Sequence, residues 1–105
     1  MASLQITRNV IDDQPSFPLP VRVFTSKRCE FSNVALEHVR SVVDSSRYRR
    51  KNLKVVEESV DDNVSLLEEF NIMALPMTVI GDFYILGIPS TQDLESILNK
   101  VVRRS

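Results

Sequence analysis

The sequence predicts a single α/β domain built on a mixed sheet, and three observations support this class. The chain has 105 residues, of which 43% are hydrophobic, enough for one compact core but too few for two independent domains. Its apolar patterns alternate between strand and helix, an order typical of parallel strands joined by a crossover helix. Near the carboxyl end, Gly81-Asp82 separates two apolar runs and predicts a tight antiparallel hairpin.

The chain begins with a segment that predicts little regular structure. Residues 1–20 contain prolines at positions 15, 18 and 20, which prevent a long element, so we assign them to an N-terminal arm or an extra edge strand. Residues 21–105 then form the domain itself. The run Val21–Thr25 is rich in β-branched and aromatic residues and predicts the central strand.

A helix, a strand and a second helix are predicted next. Apolar residues recur every three to four positions over Phe31–Val43, which predicts a helix with one buried stripe. Ser26 or a neighbour is expected to cap this helix. Leu53–Val56 predicts the second strand, and the apolar spacing within Val64–Phe70 predicts a second, short amphipathic helix.

The remaining residues predict a hairpin and a closing helix. Pro76 cannot donate to a sheet ladder, so the third strand begins just after it, at Met77–Ile80. The fourth strand, Phe83–Leu86, returns antiparallel to it. Ser90 supplies a capping oxygen for the amphipathic run Leu94–Val102, which predicts the last helix.

Charge and cysteine content exclude several classes of protein. Lys and Arg total 13 against 14 for Asp and Glu, so we predict neither a nucleic-acid nor a membrane partner, and we interpret the basic run Arg47–Lys51 as a solvated turn. The run Met73–Ile80 is far shorter than the roughly 20 residues that span a bilayer. The first residues do not resemble a secretory signal, so we expect a cytosolic protein. One cysteine cannot form an internal disulfide.

Three segments resemble the thioredoxin and glutaredoxin superfamily. Val23–Ser32 looks like its strand-to-active-site segment, Phe70–Thr78 like the segment that holds its cis-proline, and Gly87–Ser90 like the entry to the last helix in small prokaryotic, archaeal-type glutaredoxin-like thioredoxins. The resemblance implies a thioredoxin-like fold, with a central four-stranded mixed sheet flanked by about three helices. It also implies a cis peptide bond before Pro76.

The sequence departs from the family at the motif itself. The usual Cys-x-x-Cys is here Cys29-Glu30-Phe31-Ser32, a monothiol form that also resembles the Cys-Gly-Phe-Ser of monothiol glutaredoxins. Dithiol cycling is therefore excluded. The Gly-Gly-x-Asp type segment that helps those glutaredoxins hold glutathione is missing, which argues against glutathione and cluster binding. Val23 stands where larger thioredoxins bury an aspartate.

Cys29 is the predicted catalytic nucleophile. A thiol attacks disulfides as the thiolate, and both a helix amino terminus and the preceding Lys27 and Arg28 favour that form, whereas Glu30 opposes it. Ser32, three residues on, is the second catalytic candidate, since its hydroxyl is predicted to donate to the sulfur. The expected chemistry is monothiol exchange, in which an external thiol resolves the covalent intermediate.

The predicted substrate-binding set surrounds this cysteine, and we expect Pro76 to leave the backbone of Leu75 free for an extended peptide. The set consists of Lys27, Arg28, Phe31, Leu75 and Pro76. The expected partners are a protein or low-molecular-weight disulfide and an external thiol reductant, and we expect a monomer. No cofactor or metal site is predicted, and His38 lies too far along its helix to act as a base.

Two other functions remain open from the sequence. The missing second cysteine is compatible with a binding module that has lost turnover and holds a protein partner at the exposed end around Cys29, Leu75 and Pro76. The Cys29–Ser32 motif is also compatible with an iron-sulfur carrier in which two chains share a cluster.

Overall fold

The computed structural model describes residues 18–103 and has an α/β architecture with a four-stranded mixed sheet in the order β2-β1-β3-β4. This confirms the predicted fold class. The elements are β1 (Leu19–Thr25), α1 (Ser32–Val43), β2 (Leu53–Ser59), α2 (Leu66–Glu69), β3 (Met77–Ile80), β4 (Phe83–Leu86) and α3 (Thr91–Arg103).

The pairing of β1 positions the functional end of the sheet. It runs parallel to β2, from Leu19 opposite Leu53 to Thr25 opposite Ser59, and antiparallel to β3 on its other side. Because β1 and β2 end at the same edge, the loops that follow them lie next to each other. This places the segment after Thr25, which carries the cysteine, beside the segment after Ser59.

The first strand starts at Leu19, two residues before the predicted Val21. The Leu19 N–H donates to the Asn52 carbonyl on the β2 side, so the nitrogen of Pro20 points the other way. The β3 ladder reaches only Val21, which pairs with Ile80, so the missing N–H of Pro20 costs no ladder bond. The rest of the predicted arm, residues 1–17, lies outside the described residues.

The two faces of the sheet carry hydrophobic clusters of different size. The larger cluster packs α1 and α3 on one face and includes Val23, Val39 and Leu98. The smaller cluster is formed by Phe24, Val60, Leu66 and Met77. Adjacent residues of β1 therefore contribute to opposite faces, as the alternation of a strand requires.

Two helix predictions need correction. The N-cap of α1 is Phe31, with no side-chain hydrogen bond, so Ser26 is not its cap. The second helix is shorter than predicted, and Val64 is 66% exposed before it begins. Leu66 is the residue of α2 that turns inward, because the chain enters the helix through turns that leave Val64 outside.

The closing segment agrees with the sequence in detail. Gly81 adopts a positive φ of 59° in the hairpin turn, the conformation for which glycine was expected there. The Ser90 Oγ accepts the Asp93 N–H at 3.0 Å, which confirms the predicted cap of α3. None of the described helices is both long and apolar enough to cross a membrane.

The basic run after α1 contains one residue of the hydrophobic core, although most of its residues are charged. Its Arg and Lys side chains are exposed, as the solvated turn predicts, but Tyr48 is buried in the larger cluster. The Tyr48 hydroxyl donates to the Asn99 Oδ1 at 2.7 Å. The turn is thereby attached to α3.

Candidate functional site

The cysteine lies in the loop between β1 and α1. The Cys29 N–H donates to the Ser26 carbonyl at 3.0 Å, and the Ser32 N–H donates to the Cys29 carbonyl at 3.2 Å. These turns place Cys29 before the helix, which begins at Ser32. The prediction that Cys29 stands at the helix start is therefore wrong, because the chain completes a turn between the cysteine and α1.

The sulfur faces the segment that precedes β3. The Cys29 side chain is half-buried, and its thiol donates to the Leu75 carbonyl across a Sγ to O distance of 3.6 Å. The Leu75–Pro76 peptide bond is cis, and the Pro76 carbonyl accepts the Gly87 N–H at 2.8 Å. Within residues 18–103, the Leu75 N–H donates no backbone hydrogen bond. The fold thus brings together two segments that the sequence separates widely.

Ser32 is part of the loop's internal structure. It is only 3% exposed, and its Oγ accepts the Ser26 N–H at 3.1 Å. Among the described residues, Ser32 therefore bonds to the loop backbone and makes no hydrogen bond with the sulfur, and its catalytic role stays a prediction. The reason is the turn before α1, which brings the Ser26 N–H over the first residue of the helix.

A carboxylate from the neighbouring loop binds the same turn. Asp61 follows β2 and accepts the Ser26 hydroxyl at 2.9 Å on one oxygen and the Lys27 N–H at 2.7 Å on the other. The Ser26 Oγ in turn accepts the Arg28 N–H at 3.1 Å. The bond from the Lys27 amide, followed by that from Ser26, lowers the pKa of Asp61, and the charges of Lys27 and Arg28 add to this effect.

Cys29 also lines a pocket of about 560 Å³ at the end of β1 and β2. Its wall combines one cation, Lys27, with carboxylates that include Glu57 and Asp62. The Thr25 hydroxyl donates to the Glu57 Oε2 at 3.0 Å and fixes that carboxylate. The pocket is mostly polar and partly open to solvent, and it lies at the edge of the sheet where β1 and β2 end.

The structure gathers only part of the predicted site. The Leu75 carbonyl contacts the sulfur directly. Lys27 and Ser32 line the pocket together with Cys29. Arg28 and Phe31 do not line the pocket, and the Phe31 ring is 57% exposed. Pro76 is buried. The substrate-binding roles of these residues remain predictions.

Sequence reasoning missed Asp61 and Glu57. Both belong to the β2 segment, far from the cysteine in sequence, and neither stands in a motif. The available signal is topological: a carboxylate placed directly after a strand parallel to β1 must lie at the same edge as the cysteine loop.

Two further observations concern acidic and histidine side chains. Residues 18–103 contain no group of three His, Cys, Asp or Glu side chains that could hold a metal ion. The His38 Nε2 lies 3.1 Å from the Thr91 Oγ1, in a contact between α1 and α3.

The order of elements, the sheet topology and the cysteine loop facing the Leu75–Pro76 segment define a thioredoxin-like fold, and solved structures confirm it. A thioredoxin from Malassezia sympodialis superimposes with a TM-score of 0.67 at 14% identity, covering 85% of this chain and 79% of that one. Mitochondrial thioredoxin 3 from Saccharomyces cerevisiae, in its oxidized form, gives a TM-score of 0.63 at 20% identity, covering 77% and 76%.

A third structure comes from work on thiol resolution in yeast mitochondrial 1-Cys peroxiredoxin by glutathione and thioredoxin systems. It gives a TM-score of 0.65 at 20% identity and covers 84% of this chain and 80% of that one. At these identities the likeness establishes the fold. No protein-family model matches the chain, and no curated protein sequence matches it either.

Proposed function

We propose that this protein is a monothiol thiol–disulfide oxidoreductase in which Cys29 is the nucleophile. The observation that carries the proposal is the placement of a half-buried, free thiol on the loop after β1, with its sulfur against the Leu75 carbonyl and beside an open pocket. The thioredoxins among proteins of the same fold support it. The Cys-x-x-Ser motif and the Gly87–Ser90 segment support a place among small, archaeal-type glutaredoxin-like thioredoxins.

The proposed reaction is disulfide exchange without net oxidation of the protein. The Cys29 thiol loses its proton to solvent, and the thiolate attacks one sulfur of the substrate disulfide, whose sulfur–sulfur bond breaks. The departing thiolate takes up a proton. An external thiolate then attacks the mixed disulfide on Cys29, which frees the cysteine and leaves a disulfide between substrate and external thiol. A second external thiol completes the reduction of the substrate.

Leu75 supplies the backbone for binding an extended substrate. Its N–H has no backbone partner in the described part of the chain, and its carbonyl already lies at the sulfur. A substrate peptide that pairs with this residue would bring its disulfide next to Cys29. We propose protein or low-molecular-weight disulfides as substrates, a monomeric enzyme and a cytosolic setting, with no nucleic acid or membrane as partner.

The decisive experiment compares wild-type protein with Cys29→Ser in the reduction of two substrates, a glutathionylated peptide and a peptide disulfide, by a small external thiol. We expect wild type to accelerate both reactions, or one of them, and Cys29→Ser to accelerate neither. Mass spectrometry of the quenched wild-type reaction is expected to show substrate attached to Cys29.

A binding module gives a different outcome. It would show no acceleration by wild type, no mixed disulfide on Cys29, and peptide binding that Cys29→Ser retains. The matched control is wild type whose Cys29 is blocked with iodoacetamide. It should lose activity while its circular dichroism spectrum stays unchanged.

A further inference from the structure

Asp61 is the residue at the site whose contacts the exchange reaction does not explain. Its two carboxylate oxygens accept different donors of the cysteine loop, the Ser26 hydroxyl at 2.9 Å and the Lys27 N–H at 2.7 Å. These donors lie 35 and 34 residues away along the chain, so the contacts depend on the fold rather than on local sequence. The carboxylate thus connects the loop after β2 to the loop that carries the nucleophile.

Ser26 links Asp61 to the cysteine through hydrogen bonds to both residues. Its hydroxyl donates to Asp61 and accepts the Arg28 N–H, and its own N–H donates to the Ser32 Oγ. Its carbonyl accepts the Cys29 N–H at 3.0 Å. Every polar group of Ser26 is therefore engaged, and Asp61 is the only partner of Ser26 among the described residues that lies outside the segment 26–32.

We propose that Asp61 is a positioning residue for thiol exchange, which holds the Ser26–Cys29 turn so that the sulfur stays against the Leu75 carbonyl. The inference rests on the proposed function, since it assigns Asp61 a part in that same site. Asp61 acts through Ser26 and Lys27 and does not touch the substrate.

A carboxylate suits this position for a simple reason. Two donors approach the same side chain, and an ionised carboxylate offers an acceptor oxygen to each of them. Asparagine offers one oxygen, and its NH₂ group would face a donor. Charge also shortens and strengthens these bonds relative to neutral ones.

Positioning should affect disulfide exchange more than simple alkylation. Exchange requires the attacking sulfur to approach along the axis of the substrate's sulfur–sulfur bond while the substrate is bound at Leu75, whereas a small alkylating reagent approaches a thiolate from many directions. Small misplacements of a reacting atom cost large factors in rate, so we expect a loss of about tenfold or more in exchange.

The test measures both rates in Asp61→Ala, Asp61→Asn and Asp82→Ala. Asp82 is an exposed carboxylate in the hairpin turn, and its variant removes the same charge away from the site. Exchange with the peptide disulfide and alkylation by iodoacetamide are measured over a range of pH, so that each rate refers to the thiolate. We expect exchange in Asp61→Ala to fall about tenfold more than alkylation, with Asp61→Asn intermediate and Asp82→Ala unchanged in both.

Parallel changes in the two rates, or no change in either, would overturn the proposal. Hydrogen exchange gives a second measurement that does not depend on activity: the Lys27 amide should lose protection in Asp61→Ala, while the amides of β1 keep theirs. Unchanged protection of Lys27 would also contradict the proposal. If Asp61→Ala does not fold, Ser26→Ala removes the hydroxyl donor and should slow disulfide exchange more than alkylation.

The proposed function can fail separately. Wild-type protein that catalyses no exchange refutes it, and the protection of the Lys27 amide then decides alone whether Asp61 holds the turn.

Discussion

At the scale of single residues, two buried threonines make different use of the same hydroxyl group. The Thr25 hydroxyl donates to the Glu57 carboxylate, whereas Thr78 is 0% exposed and its Oγ1 has no hydrogen-bond partner among residues 18–103. Burying a polar atom without a hydrogen-bond partner costs its full desolvation free energy. At position 78, a valine would fill the same space without this cost.

Replacing each threonine by valine should therefore change stability in opposite directions. Thr78→Val keeps the β-branched shape and removes the unpaired hydroxyl, and we expect the free energy of unfolding to rise by about 1 kcal/mol. Thr25→Val removes the bond to Glu57 and should lower it by about 1 kcal/mol. Urea denaturation measures both. A destabilised Thr78→Val would show that its hydroxyl has a partner in solution.

Asp61 gives the stability of the protein a defined dependence on pH. Hydrogen bonds from Lys27 and Ser26 lower its pKa below the ordinary value of 3.8, so the folded state binds this proton more weakly than the unfolded chain does. The resulting stabilisation is complete above the unfolded value and is lost as the pH falls through the lower, folded value.

The sign can be checked by denaturation of wild type and Asp61→Asn at several pH values. The difference in unfolding free energy should be constant above about pH 5 and shrink as the pH falls below 3.8. A difference that grows on acidification would contradict the assignment.

The sequence identified the residues of the site that lie in local motifs and missed those that the topology adds. Cys29 and Ser32 share one short segment, and Leu75 precedes a conspicuous proline, so local patterns were sufficient to find them. Asp61 and Glu57 were not found, because only the parallel pairing of β1 with β2 brings them to the cysteine loop. The bond from the Ser26 N–H to the Ser32 Oγ was not foreseen, because it depends on the turn before α1.

At the scale of elements, the hairpin and the last helix agree with prediction, whereas the boundaries around turns do not. Gly81 favours the backbone conformation of the hairpin turn, and Ser90 favours the start of α3, and neither effect depends on distant residues. The starts of β1 and α1 depend on the partners that the chain meets at those points. The short helix α2 depends on which apolar residue reaches the sheet, and Leu66 rather than Val64 does so.

Tyr48 is the element-scale contact that can be tested most directly. Its ring lies in the larger cluster, and its hydroxyl donates to Asn99 on α3 at 2.7 Å. Tyr48→Phe keeps the ring and removes this bond, so we expect a loss of about 1 kcal/mol in unfolding free energy. The matched control is Tyr84→Phe, since the Tyr84 hydroxyl donates no hydrogen bond to another described residue. Equal effects of the two substitutions would contradict this role of Tyr48.

At the scale of the whole molecule, the sheet separates the larger hydrophobic cluster from the smaller one, and the smaller cluster lies under the segments that surround Cys29. The larger cluster holds twelve buried residues of the described chain, including Leu98 of α3, while the smaller one holds four, including Leu66 of α2. Val60 and Met77 of the smaller cluster flank the two segments that carry Asp61 and Leu75. Asp61 and Leu75, which contact the cysteine loop and the sulfur, are therefore supported by the smaller cluster.

Because the two clusters differ in size, we expect the same truncation to have different effects on the two faces. On the larger cluster it should lower the stability of the whole domain, and on the smaller cluster it should mainly loosen the segments nearby. Leu98→Ala and Leu66→Ala remove the same atoms, and we expect losses of about 4 kcal/mol and about 2 kcal/mol, because the smaller cluster around Leu66 can relax more easily than the larger one around Leu98. Native-state hydrogen exchange should show Leu66→Ala lowering protection mainly in residues 60–75, since local openings draw on the less packed layer. Leu98→Ala should lower protection throughout the sheet. If both variants lower protection uniformly, the two layers unfold as one unit, and the smaller cluster is not an independent support of the site.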